Sequence, residues 1–379
     1  MKKVLVIGAG IAGLTCSIYL RRNGFETELY ELNHMAGGEC TGWDRGEYHF
    51  DGCIHWLMGS KPGTELNALW RETGGLDDGV EIINHEIFGR YEEDGRSVNL
   101  YTNADRLEKD LLEISPQDGG EIRKLCGAMR ALAGFDMPLD KPMDMMGISG
   151  GMGYVAKNAG KLMKLSRYSK MTMDEFAAKF KEPILGRAFL AAIPGYHKAT
   201  ALVATLGSMH GGDSGYPLGG SRAFARRMEQ KYLDLGGKAF YNARVEKIVV
   251  KDGRATGLRL ADGREVTGDY VISCADAHAT LYDMLEDQYT PDVFRNLFEH
   301  PKNYPTPTST LVFMGVGCEI PMDCRAITIK RKARVNLGGS ESDTVDLMNY
   351  GFDSTMAPEG KTVMACFYDA DYDYWNELH

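Results

Sequence analysis

The chain has eight cysteines but no CxxC pair, and none of them stands at metal-ligand spacing from a histidine. That excludes ordinary zinc and iron–sulfur frameworks. Several of Cys16, Cys40, Cys53, Cys126, Cys274, Cys318, Cys324 and Cys366 lie inside apolar stretches, where free thiols act as small hydrophobes. A reducing cytoplasm is the expected location. Positive charge is in deficit, with 43 Lys and Arg against 53 Asp and Glu, a net charge of −10. Nucleic-acid binding is therefore not expected. No apolar run is long enough to span a bilayer. No Ser/His/Asp or Cys/His nucleophile set stands out, and there is neither an internal repeat nor a disordered tract. What is present is 379 residues, 44% of them hydrophobic, enough for two domains and a large core.

The most informative stretch runs from Val4 to Glu31. A β-branched apolar run, Val4 to Ile7, ends at Gly8, and Gly10 and Gly13 follow at dinucleotide-fingerprint spacing. Gly8 permits a tight turn, Gly10 lets backbone approach a pyrophosphate, and Gly13 lets the helix pack on the strand. The helix that begins there, with Leu14, Ile18 and Leu20 apolar and Ala12 and Cys16 small, offers its positive end to phosphate. Gly24 is placed to close it, and a second strand, Thr27 to Tyr30, delivers Glu31 about 20 residues beyond the glycines, where an acid can accept ribose hydroxyls. Met1-Lys2-Lys3 before an apolar stretch imitates a signal peptide, but the glycine spacing and the continuation into Arg21-Arg22-Asn23 argue against one. Gly37 and Gly38 imply a close backbone approach, to the cofactor by their position after Glu31, and Tyr48 to Gly59 is rich in aromatics and histidine.

The fingerprint, Gly37-Gly38 and Phe50-Asp51-Gly52-x-x-His55 resemble the phytoene desaturase and retinol saturase group of flavoproteins, within the amine-oxidase-like FAD superfamily. The Asp-Gly-x-x-His-aromatic pattern is similar to the saturase branch. The resemblance implies an α/β fold: a Rossmann-like FAD-binding domain with a parallel sheet and a β-meander, plus an α+β substrate domain inserted in pieces. It places the FAD-binding domain at 1–75 and 215–280, and the substrate domain, with a helical lid, at 76–214 and 281–379. It implies FAD contacts at Gly8, Gly10, Ala12, Gly13, Glu31, Gly37, Gly38, Val245 and Ala275. His55 is the candidate for proton handling or for facing the substrate, Glu39 and Asp51 are weaker candidates, and Asp51 is expected to hold the turn. The activity implied is desaturation or saturation of a lipophilic polyene or isoprenoid-like substrate. A flavin amine oxidase, an NAD-binding enzyme and a flavoprotein without redox activity stay open as alternatives.

Elsewhere, Glu93-Asp94-Gly95, Asp252-Gly253 and Asp262-Gly263 are hairpin turn signals, Asn103 is expected to cap a helix, and Ser115 to cap the next with Pro116 in its first turn. Further helix and strand signals lie at Ser221 to Leu235, Val245 to Lys251, Tyr270 to Ala275, Thr308 to Val316 and Thr362 to Tyr368. The stretch Met137 to Met173 is dense in methionine and carries Lys157, Lys161, Lys164, Arg167 and Lys170 without an acid from Gly151 onward. It reads either as a solvated basic face over a plastic core or as a membrane-contacting element at 151–173 that admits a lipid. Related flavoproteins return at their C-terminus to the FAD domain. Nothing after Ala275 reads that way, so the C-terminal FAD segment is expected to be absent, with Tyr372 to His379 opening an aromatic helix.

Overall fold

A computed structural model describes every residue except 136–138, 140, 142–144, 146, 305, 306 and 379. Met137, Met143 and Met146 of the methionine-dense stretch lie outside the described residues.

The strand Lys3–Ile7 stands inside a four-stranded parallel sheet, between Glu26–Tyr30 and Tyr270–Ser273, with Lys238–Phe240 outside Glu26–Tyr30. Its side chains alternate between two cores, as the pleat of a doubly covered parallel strand requires. Val4 and Val6 pack with Leu14 and Ile18 of the helix Ile11–Arg22 and with Phe224, Met228 and Tyr232 of the helix Gly220–Asp234. Leu5 and Ile7 pack on the opposite face with Val245, Ile248, Leu258 and Leu260 of an antiparallel meander formed by Val245–Lys251, Arg254–Leu260 and Glu265–Thr267. The fold is thus α/β, with the parallel sheet sandwiched between helices and meander.

A second layer is built on a six-stranded sheet, in the order Thr308–Val316, Thr362–Ala370, Ser340–Asn349, Ala326–Leu337, Ile87–Glu93, Arg96–Tyr101. All its pairings are antiparallel except that of Ala326–Leu337 with Ile87–Glu93. The helices Ala104–Ile114, Gly119–Leu132, Pro183–Ala192 and Thr200–His210 bury Leu107, Leu111, Leu125, Met129, Phe189 and Leu206 against Val98 and Leu100.

Local chemistry explains most of these boundaries. Asp94 and Gly95 have φ of 48° and 75°, and Asp252 and Gly253 of 52° and 73°, the two positive φ values of a type I′ hairpin turn. Asn103 caps as expected, accepting from the amides of Asp105 and Arg106 at 3.0 Å each. Ser115 does not cap: its hydroxyl donates to Asp118 at 2.7 Å, Pro116–Asp118 forms a single 3-10 turn, and the helix begins at Gly119. Asp118 is drawn away because it accepts the amides of Lys181 and Glu182 at 2.8 and 2.9 Å, bonds to a segment distant in sequence.

The stretch at 147–169 forms the helix Gly147–Ser169. Lys161 and Lys164 donate to the carbonyls of Gly134 and Gly127, and Arg167 pairs with Glu121 at 3.3 Å, so these cations turn onto the neighbouring helix. The outward side carries Met152, Val155 and Met163, 67%, 54% and 73% exposed. Met173, by contrast, is fully buried in the helical core. Among the described residues no helix is long and apolar enough to cross a membrane, and no His, Cys, Asp and Glu cluster is arranged to hold a metal.

Candidate functional site

The end of the strand Lys3–Ile7 opens into a cleft of about 1010 Å³. Gly8, with φ of 93°, turns the chain, and its amide donates to Tyr30 O at 2.8 Å. The first helical bond runs from Leu14 to Gly10 at 2.9 Å, leaving the amides of Ile11 to Gly13 at the open end. No side chain caps that end and its first turn holds no acid, so the positive pole faces the cleft unneutralised. A Cβ on Gly13 would run into the carbonyl oxygen of Gly8, so this position admits only glycine. Gly8, Gly10, Ala12, Glu31, Gly37, Gly38, Val245 and Ala275 all line the cleft, whereas Gly13 supports it from below. The Gly37-Gly38 pair approaches backbone of this chain: Gly37 donates to Ala9 O at 2.9 Å, and a Cβ on Gly38 would sit 3.0 Å from Gly10 Cα.

Glu31 is 5% exposed. One of its carboxylate oxygens accepts the Ala9 amide at 2.7 Å and the other the Asn33 amide at 2.8 Å, and each retains a free lone pair. Asp51 does hold its turn. Its carboxylate accepts the Ser221 amide, the Ser221 hydroxyl at 2.7 Å and the Cys53 amide at 3.1 Å, tying the segment to the start of the helix Gly220–Asp234. Cys40 and Cys53, together with Glu39, also line the cleft. A hydrogen bond shared with Cys40 lowers the Cys53 thiol to about 7 and raises that of Cys40. The thiols are not evident as a pair in the sequence, since they stand 13 positions apart (53 minus 40).

The structure places His55 apart from these residues. Two positions after Cys53 the chain leaves the cleft, and His55 lines a small pocket of about 30 Å³ with Trp56, His85, Phe88 and Arg325. Burial and the adjacent Arg325 charge lower His55 to about 3 and His85 to about 4, so both rings are neutral at physiological pH. His85 and Arg325 also line a second cavity of about 1160 Å³ with Ile87, Met322, Tyr350 and Phe352. Sequence inspection did not single out His85, Arg325 or Tyr350, because 265 residues (350 minus 85) separate the outer two and only the fold joins them.

A group to occupy the cleft must present phosphate to the helix end, hydroxyls to Glu31 and an extended body between the parallel sheet and the meander. An adenine dinucleotide does all three. Over residues 11–378 the chain matches the family of flavin containing amine oxidoreductases. It belongs to that family. The dinucleotide this cleft is built to hold is FAD. Among curated relatives, the chain is similar to the neurosporene-forming phytoene desaturase of Rhodobacter capsulatus, with 26% identity over 76% of this chain and 55% of that protein. It is also similar to prolycopene isomerase 1 of an Oncidium hybrid, with 24% identity over 99% of this chain and 65% of that one. The chain thus spans between about half and two thirds of these relatives' length. An oxidoreductase from Methanosarcina mazei has a similar fold, with TM-score 0.62, 18% identity and coverage of 99% of this chain and 81% of that one. These likenesses agree with the α/β, Rossmann-like fold that the family resemblance implied.

Proposed function

We propose that this protein is an FAD-dependent oxidoreductase acting on carbon–carbon bonds of a lipophilic polyene or isoprenoid-like substrate, by desaturation or saturation. The observation that carries the proposal is the pairing of the FAD cleft with a second cavity, of mixed polar and apolar lining with Ile87, Met322 and Phe352 among its walls, across the segment Asp51 to Trp56, in a chain similar to a carotenoid desaturase and a prolycopene isomerase. FAD supplies the acceptor or donor of hydrogen and electrons. The chain binds and orients it: the open end of the helix Ile11–Arg22 takes phosphate, Glu31 takes ribose hydroxyls, and Asp51 fixes the segment that separates the cleft from the cavity. His55, neutral and buried, serves as a substrate-facing group rather than as a proton source.

The parallel sheet and meander, from 1–75 and 215–280, act as the FAD-binding domain, and 76–214 with 281–379 as the substrate domain. The exposed apolar face of Gly147–Ser169 makes peripheral contact with a membrane, through which the substrate arrives.

The purified protein is expected to show the visible absorption of bound flavin. Anaerobic mixing with an unsaturated isoprenoid should bleach the oxidised flavin if the reaction is desaturation, or restore colour to pre-reduced flavin if it is saturation. A spectrum indifferent to polyenes in both redox states, yet bleached by a soluble amine, would overturn the reading in favour of an amine oxidase.

A further inference from the structure

Arg325 is a buried cation, 7% exposed, and no carboxylate among the described residues pairs with it. One guanidinium nitrogen donates to the carbonyl of His55, and the guanidinium lines both the small pocket and the large cavity. Around it, three polar atoms are buried without a hydrogen-bond partner among the described residues: His55 Nδ1, His85 Nε2 and the hydroxyl of Tyr350, a residue 2% exposed. Such groups are costly to leave unmade, and an unpaired buried cation costs most of all. Both neighbouring imidazoles are neutral, so neither offsets nor competes for the charge. Asp353, the acid that shares the cavity deepest, is already taken by the Tyr216 hydroxyl, the Gly219 amide and Thr355. Of the acids toward the rim, Glu86 pairs with Arg106 and Asp323 with Arg90.

We propose that Arg325, with His55, His85 and Tyr350, forms a binding site for the carboxylate of an apolar carboxylic acid whose chain lies along the cavity. The guanidinium fork matches a carboxylate in both geometry and charge. The Tyr350 hydroxyl and a histidine N–H supply the further donors that its oxygens accept. Among the described residues Arg325 is the one cation lining the small pocket of about 30 Å³, and Lys361, which also lines the large cavity, is held by Glu47; with the acids at the rim, this selects a compact monoanion over a diphosphate. Ile87, Met322 and Phe352 provide the apolar walls for the chain. The site rests on the proposed apolar substrate and narrows it to one that ends in an acid. It would fix the distance between the acid and the bond presented across Asp51 to Trp56.

Isothermal titration of the FAD-loaded protein with farnesoic acid, farnesol and farnesyl diphosphate tests this without relying on turnover. The acid should bind at least tenfold tighter than the alcohol, and the diphosphate no tighter than the alcohol. Arg325→Met should abolish the preference for the acid while altering farnesol binding less than threefold, and Arg325→Lys should restore part of it. Equal binding of acid and alcohol by the unmodified protein would overturn the carboxylate site and leave the apolar-substrate reading standing, whatever the variants do. Tightest binding by the diphosphate would overturn the monoanion assignment. Failure of all three probes to bind would overturn the site together with the apolar substrate.

Discussion

Two residues in the cleft give direct tests. Glu31 accepts two backbone amides at 2.7 and 2.8 Å and lines the cleft, so it shapes the turn and is the proposed acceptor of ribose hydroxyls. Glu31→Ala is expected to weaken FAD binding by about 1–3 kcal/mol, the range for hydrogen bonds to a charged group. Titration of the apoprotein with FAD checks this, and unchanged affinity would remove Glu31 from the site. Cys53, the exposed thiol of the two, is held near 7 by its hydrogen bond with Cys40. Its alkylation by iodoacetamide should rise through half-maximum near pH 7, above which the thiolate predominates. Bound FAD should slow the reaction, because the thiol lines the same cleft. Peptide mass spectrometry reads both effects, and an alkylation midpoint near the ordinary thiol range would count against the shared hydrogen bond.

Among the elements, the segment Asp51 to Trp56 matters most, because Cys53 faces the FAD cleft and His55 the adjoining pocket. Its anchor is the buried Asp51 carboxylate, met by three donors. Asp51→Asn would turn an amide donor toward at least one of them and should cost about 1–3 kcal/mol of stability. A thermal melt with and without FAD checks this, and a melting temperature equal to that of the unmodified protein would mean that the anchor contributes nothing. The elements also show how much was legible. The strand–turn–helix at Val4 to Gly24, the hairpins at Asp94-Gly95 and Asp252-Gly253, and the Asn103 cap were readable because each is fixed by residues within a few positions. The strands Ala326–Leu337 and Ser340–Asn349 went unrecognised: Lys330 to Arg334 break the alternation that marks a half-buried strand, and one end of that strand stands in solvent. The role of Ser115 was misread because Asp118 answers to residues 63 and 64 positions away. The cluster around Arg325 was invisible for the same reason, since its four members come from four separate segments.

For the molecule as a whole, two properties follow from charge and surface. His55 and His85, lowered to about 3 and about 4, take up protons on unfolding but not in the folded state between those values and their ordinary value of 6.5. Their contribution to stability is therefore complete above about pH 6.5 and is lost as pH falls toward 4, by up to about 1.4 kcal/mol per pH unit for each ring. Urea unfolding at a series of pH values should show this slope, and His85→Gln should reduce it. A slope unaltered by that variant would exclude His85 as a source. The outward face at Met152, Val155 and Met163 is apolar while Lys161 and Lys164 are occupied by carbonyls, so attachment to vesicles should persist at high salt. Met152→Glu with Met163→Glu should abolish sedimentation with liposomes. If the unmodified protein fails to sediment with anionic vesicles even at low salt, the membrane contact is wrong.

The parallel pairing of Ile327 with Arg90, and of Val271 with Leu5, also bears on how the chain acquires its structure. Each sheet is completed by a strand that arrives more than 230 residues after its neighbour (327 minus 90 is 237, 271 minus 5 is 266). During synthesis, Lys3–Ile7 and Ile87–Glu93 leave the ribosome long before those partners exist, and their backbone edges wait unpaired. Loop closure over such separations is slow, and the early helices beside Ile87–Glu93 are the local structure available in the interval. The nascent chain therefore passes through a long stage in which both sheets are open. In that stage the open strand edges expose the chain to pairing with other chains.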